Sequence, residues 1–157
     1  PLQLRVDRVD RVDGRLLVLD YKTGKASTSQ WRGTRPDAPQ LPLYAILKGE
    51  QVGAVAFVTA DTRSAALRGV GGETGPLSGV EPAERFALTD AREKGFTWNE
   101  VRDRWAAWLS AVARDFQGGV AFVDLKLPQT CRYCHLEILC RVSPAFDSAE
   151  AEEGTHD

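Results

Sequence analysis

Charged and apolar positions alternate along Arg5-Val6-Asp7-Arg8-Val9-Asp10, and a run of apolar residues, Leu16-Leu17-Val18-Leu19, follows before the polarity returns at Asp20 and Lys22. Asp13-Gly14 lies between them, the strongest short-range signal for a two-residue turn with positive φ. The pattern predicts a β-hairpin. Val52 to Ala60, Val-Gly-Ala-Val-Ala-Phe-Val-Thr-Ala, reads as an apolar strand suited to the middle of a sheet. Two helices are expected. One runs from an Asp37 N-cap to about Lys48, with prolines tolerated in its first turn. The other opens on a capping box at Thr97 and Glu100 and ends at Gly118-Gly119. Its apolar positions, Val101, Trp105, Trp108, Leu109, Val112 and Phe116, recur at helical spacing, so this stripe is assigned to the core rather than to base stacking. Residues 24 to 36 read as a loop, and residues 61 to 84 lose all periodicity. The glycines at 69, 71, 72 and 75 are followed by no Lys-Ser/Thr pair, so a mobile loop is expected there rather than a nucleotide-binding one.

The predicted hairpin has chemical content. With a two-residue turn, Asp7 faces Asp20, and period-two alternation puts Asp7, Asp20 and Lys22 on one face and Asp10, opposite Leu17, on the other. A three-residue loop would instead shift the register by one and turn Asp7 away. Opposed residues have Cβ atoms roughly 5 Å apart, where like charges destabilise the pair unless a cation joins them. A divalent metal between two carboxylates beside an ammonium suits polarisation of a phosphodiester and activation of water. The plainer alternative is a solvated edge hairpin rich in Arg and Asp. Against it stands the run 16–19, since a near-continuous apolar strand is usually buried on both faces.

The loop 24–36 carries Lys25, Trp31, Arg32 and Arg35. These could offer phosphate-contacting arginines and a base-stacking Trp beside the metal, or form a solvated loop with Trp31 capping the core. Gln40 and Tyr44 are four residues apart and share a helix face.

Composition places the chain in the ordinary globular class, with 157 residues, 43% hydrophobic and 27% charged. No signal peptide or membrane-spanning run is evident, and a soluble, cytoplasmic protein is expected. The formal charge is −2, but the segment 143–157 reads as an acidic, disordered tail, whose last eleven residues hold five acids and no Lys or Arg. Without those five acids the balance is 20 basic against 17 acidic residues, a net of +3, compatible with phosphate contacts.

Three cysteines without an export signal do not make a disulfide framework. Cys131-Arg132-Tyr133-Cys134-His135 matches the CxxCH pattern of covalent haem, but the chain has no Met to serve as a distal ligand. Cys131, Cys134 and Cys140 instead form a three-thiolate cup suited to an iron–sulfur cluster or Zn²⁺, or else are buried free thiols.

The stretches Leu4 to Asp10, Val18-Leu19-Asp20-Tyr21-Lys22-Thr23-Gly24, Gln40-Leu41-Pro42-Leu43-Tyr44-Ala45 and Cys131 to Cys140 stand in an order that resembles the PD-(D/E)XK nuclease superfamily. Within it they resemble the RecB/AddB-like exonuclease domains of bacterial recombinational repair. The resemblance covers residues 1–142, taken as one nuclease domain that includes the cysteine segment 131–140. It implies an α/β fold with a restriction-endonuclease-like core, a mixed central sheet flanked by helices. It implies Mg²⁺ or Mn²⁺ held by Asp7, Asp20 and the Tyr21 carbonyl, with Lys22 orienting or activating the attacking water. Gln40 and Tyr44 match a motif placed against the DNA strand near the scissile phosphate; with Arg32 and Arg35, offered by the loop reading, they make the expected DNA-binding set. Family members also carry, upstream of the first Asp, a helix with a metal-ligating His and, in the AddB-like branch, a fourth cysteine for a 4Fe-4S cluster. Here the chain starts six residues before Asp7, and neither His135 nor His156 sits where that ligand belongs. The expectation is therefore the C-terminal part of a larger protein, without the first helix of the core, partnered by DNA and a helicase domain or subunit and not by a membrane.

Three functions follow from these readings: a metal-dependent DNA exonuclease domain, a catalytically silent DNA-binding or scaffold module with a structural iron–sulfur or zinc site, and a redox protein built on the cysteines. Metal-dependent DNA cleavage separates the first from the second. A visible absorbance band lost in Cys134→Ser without loss of cleavage separates the first from the third.

Overall fold

The computed structural model describes residues 4–60, 65–72, 77–89, 91–121, 136 and 139. The chain divides into two compact units, Pro1–Gln117 and Gly118–Asp157, and the architecture below is that of the first. Cys131, Cys134, Cys140 and His135 lie outside the described residues. Among the described residues no helix is long and apolar enough to cross a membrane.

Among the described residues five strands form one mixed sheet in the order β1-β2-β3-β4-β5: β1 (Arg8–Val12), β2 (Arg15–Lys22), β3 (Val52–Ala60), β4 (Ala65–Gly71) and β5 (Val80–Pro82). The hairpin β1-β2 closes at Asp13-Gly14, both with positive φ, 47° and 79°, as a turn matched to strand twist requires. Arg8 then faces Leu19 and Asp10 faces Leu17, the register expected from a two-residue turn. β2 runs parallel to β3, so β2 is interior and Leu17, Val18 and Leu19 are buried. Val18 belongs to the core beneath the helices, whereas Leu17 and Leu19 join Ala54 and Ala56 on the other sheet face. This is the two-sided burial that an uninterrupted apolar run implies.

α1 (Gln40–Leu47) and α2 (Trp98–Gln117) pack over the face that carries Val18, Val55, Phe57 and Val70. The N-cap of α1 is Pro39, with no side-chain cap bond, rather than Asp37. A second proline, Pro42, sits in the first turn, where the missing N–H has no intrahelical acceptor to lose. α2 begins as the capping box foretells: Thr97 N–H donates to Glu100 Oε2 at 2.7 Å and the Glu100 N–H to Thr97 Oγ1 at 3.4 Å. The backbone bond from Thr97 holds the Glu100 carboxyl below its ordinary range. Val101 and Trp105 are wholly buried, but the stripe opens toward the C-terminus and Phe116 is 85% exposed. Two indole N–H groups anchor α2: Trp98 donates to the Val52 carbonyl at 2.7 Å and Trp105 to the Trp31 carbonyl at 3.0 Å.

Among the described residues of the stretch read as an aperiodic loop, ten lie in strands, β4 and β5. β4 pairs antiparallel with β3, and β5 parallel with β4. Its glycines are sites of close approach: a Cβ on Gly69 would lie 2.5 Å from the Val55 carbonyl oxygen, and one on Gly71 2.5 Å from Ala54 Cβ. Gly79, with φ of 89°, would meet the Leu67 carbonyl oxygen at 2.1 Å. Glycines that let backbones touch erase the side-chain alternation by which strands are recognised. Gly69→Ala should therefore destabilise the protein by roughly 1–3 kcal/mol, while Gly24→Ala, which meets nothing within 4 Å, should stay near neutral. Urea midpoints at constant m-value check this, and equal midpoints would remove the close-packing account of β4.

Candidate active site

The site grows from the open end of β2. Register partners on adjacent strands share a face, so Asp20, Phe57 of β3 and Arg68 of β4 form one row across the sheet on the helix side. Asp20 is 2% exposed and is the only buried charged residue among those described. Lys22, two residues on and on the same face, brings its Nζ to 2.7 Å from Asp20 Oδ2. The contact is close but not aligned as a hydrogen bond, and Oδ2 accepts none. The ammonium also lies 5.8 Å from the centre of the Phe57 ring. Desolvating a carboxylate costs several kcal/mol, which one half-exposed ammonium offsets only in part.

Asp7 stands in a bend just before β1, one residue beyond the last register pair, Arg8 with Leu19, and is exposed. Its Oδ2 accepts the Tyr21 N–H at 3.0 Å, which ties it to the residue between Asp20 and Lys22. In an extended strand the N–H and C=O of one residue point to the same side. The Tyr21 carbonyl is thus directed toward the edge that Asp7 occupies. Asp10 is on the opposite face, where its Oδ1 accepts from Arg8 Nε at 2.8 Å. That bond, helped by the Tyr21 hydroxyl, pushes the Arg8 guanidinium above its ordinary value.

Gln40 and Tyr44 do meet across one turn of α1. Gln40 Nε2 donates to the Tyr44 hydroxyl at 2.8 Å, and that hydroxyl donates in turn to the Arg5 carbonyl in a very short bond. Tyr44 is 3% exposed. The pair therefore fastens α1 to the backbone two residues before Asp7. Trp31, in a short 3-10 turn over Thr28–Trp31, is fully buried 4.7 Å from Phe57, so of its two readings the structure selects the core. Arg32 lies 5.9 Å from the Phe86 ring centre, and Arg35 pairs with Asp115 of α2 at 2.5 Å. Arg68, in the row with Asp20, was not a sequence candidate. Its only sequence signal is a lone cation among glycines, which carries no period.

The sequence profile of the PD-(D/E)XK nuclease superfamily matches residues 2–141. The chain belongs to that superfamily. The mixed five-stranded sheet with its two helices is accordingly a restriction-endonuclease-like α/β core. Members of the superfamily are usually nucleases and generally use Mg²⁺ or Mn²⁺. No curated protein and no solved structure matches the chain. Among the described residues no group of three or more His, Cys, Asp or Glu side chains gathers as a metal site. Asp20 and Asp7 still fit a hard divalent cation: one carboxylate is buried with an oxygen that accepts no hydrogen bond, and a second is held beside the same strand end. Mg²⁺ is commonly held by one or two carboxylates while it keeps several waters.

Two expectations follow. Without divalent metal, Asp20→Asn should melt at or above the temperature of the unsubstituted protein, because a desolvated charge is removed. Mg²⁺ or Mn²⁺ should raise the melting temperature of the unsubstituted protein and not of the variant; a melting temperature insensitive to metal in both would count against this site. Tyr44→Phe should cost about 1 kcal/mol, measured by denaturant titration, since the Arg5 carbonyl and Gln40 amide lose their shared partner.

Proposed function

We propose that this chain is a Mg²⁺- or Mn²⁺-dependent deoxyribonuclease domain that hydrolyses phosphodiester bonds as an exonuclease in recombinational DNA repair, like the RecB/AddB domains it resembles. The observation that carries the reading is the Asp20 carboxylate, buried at the end of an interior strand with Oδ2 accepting no hydrogen bond and Lys22 Nζ 2.7 Å away. A fold tolerates such a group at a cost in stability where function uses it.

Asp20, Asp7 and the Tyr21 carbonyl would hold the metal, which when bound supplies Lewis-acid polarisation of the phosphate and a more acidic water. Asp20 provides a fixed negative charge that needs no reorganisation at the moment of reaction. Asp7 is oriented by the Tyr21 N–H, and its approach to β2 is fixed by the bond from Tyr44 to Arg5. Lys22 is 39% exposed in its side chain, so its ammonium can turn from Asp20 toward an entering phosphate or water. There it would stabilise developing charge and orient the water.

The Cys131, Cys134 and Cys140 unit belongs to the same proposal as an iron–sulfur or zinc site, with a helicase domain or subunit as the partner that delivers DNA. Anaerobic metal analysis of the chain tests the first of these. Absence of both iron and zinc would return the cysteines to free thiols.

Digestion of end-labelled DNA tests the nuclease reading. Asp20→Asn should abolish Mg²⁺-dependent cleavage, and Asp10→Asn, on the other face, should leave it nearly unchanged. Lys22→Ala should lower the single-turnover rate by about 10²–10³ while DNA affinity changes little. Equal loss in the Asp20 and Asp10 variants would refute the assignment. A chain that binds DNA without metal-dependent cleavage would instead be the silent binding module.

A further inference from the structure

Two hollows flank Arg68 of β4. One, about 600 Å³, is lined by Thr23, Gly24 and Lys25 directly after Lys22, and by Thr59, Ala60 and Arg68. The other, about 510 Å³, continues toward β5 and is lined by Glu81 and Arg85. Ser27 and Arg68 line both, so the two hollows adjoin as a groove with Arg68 at their border. The first hollow is the neighbour of the candidate site: Thr59 on its lining is the sheet partner of Lys22, and Arg68 ends the row Asp20, Phe57, Arg68. Adjacent strands are roughly 4.8 Å apart, which puts the Arg68 backbone about 10 Å from that of Asp20.

The charges of the groove are one-sided. Lys25, Arg68 and Arg85 are exposed, and none has an ion-pair partner among the described residues. The one acid on the lining, Glu81, accepts a hydrogen bond from the Thr28 hydroxyl at 3.2 Å. By contrast Arg32 and Arg35 are applied to Phe86 and Asp115. Three exposed cations spread along open hollows beside the end of β2 suit a polyanion of repeating phosphates better than a small anion, which one arginine would satisfy.

We infer that this groove holds the sugar–phosphate backbone of the DNA strand that passes Asp20 and Lys22, with Arg68 on the phosphate next to the candidate site and Lys25 and Arg85 on its neighbours. The inference rests on the nuclease reading for its direction and deepens it by naming the strand path. Arg68 is a binding residue in this account and takes no part in the chemical step.

The test compares the full chain with Arg68→Ala, Lys25→Ala, Arg85→Ala and Arg68→Lys, and with Arg11→Ala as a control, since Arg11 contacts the hairpin turn at the Gly14 carbonyl. A fluorescein-labelled single-stranded oligonucleotide is titrated in EDTA over a range of salt, and single-turnover cleavage is measured at saturating DNA with Mg²⁺. Each groove alanine should weaken binding about tenfold and reduce the salt slope by about one, with the saturated rate unchanged. Arg68→Lys should recover most of the affinity, and Arg11→Ala should match the unsubstituted protein. Cleavage by the unsubstituted chain, with groove variants that bind like it and keep its salt slope, would overturn the groove and leave the nuclease reading intact. Binding without cleavage in the unsubstituted chain would overturn the nuclease reading, and the groove would then be judged on the affinities alone. A chain that binds no DNA would overturn both.

Discussion

Asp20 is a desolvated carboxylate at the end of an interior strand, and the surrounding structure is arranged around keeping it there. Its strand, β2, is held on one side by the β1 hairpin and on the other by the parallel strand β3. The apolar residues 17–19 leave no freedom to rotate the carboxylate outward, because a one-residue slip would exchange the two buried faces. Among the described residues its one ion-pair partner is Lys22, at 2.7 Å. An arrangement that costs several kcal/mol in desolvation is over-determined by the burial of its neighbours.

Phe57 links that carboxylate to the core and to the surface. It lies between Asp20 and Arg68 in the row across the sheet, with Lys22 near its ring. Trp31 packs on it at 4.7 Å, and Trp105 meets Trp31 edge-on at 6.3 Å and Trp98 at 5.8 Å. Buried aromatics in such tilted and edge-on pairs contribute about 0.5–1.5 kcal/mol each beyond their area. The two indole bonds to backbone carbonyls of Trp31 and Val52 fix α2 against this stack. The floor of the candidate site is thereby made rigid by residues that never touch it.

Local rules read from sequence held where the chemistry is local. Asp13-Gly14 set the hairpin register, and Thr97 with Glu100 set the start of α2, because each depends on residues within four positions of one another. Residues 65–82 failed for the opposite reason. Gly69 and Gly71 are where β4 presses on β3, and a residue without a side chain leaves no pattern of burial to read. The same limit hid Arg68, whose meaning comes from a strand partner eleven positions away. Arg32 and Arg35, which the sequence offered as DNA contacts, rest in this structure on Phe86 and on Asp115.

The sequence by itself determined the hairpin, the face shared by Asp20 and Lys22, the strand 52–60, the capped helix and the superfamily, all of them encoded in short spacings and period-two or period-3.6 patterns. Tertiary structure alone decided the depth of Asp20, the choice of Trp31 for the core, the use of Gln40 and Tyr44 to hold the chain ahead of Asp7, and the two adjoining hollows that Arg68 lines. Burial and cross-strand neighbourhood arise from residues far apart in the chain, and no local spacing carries them.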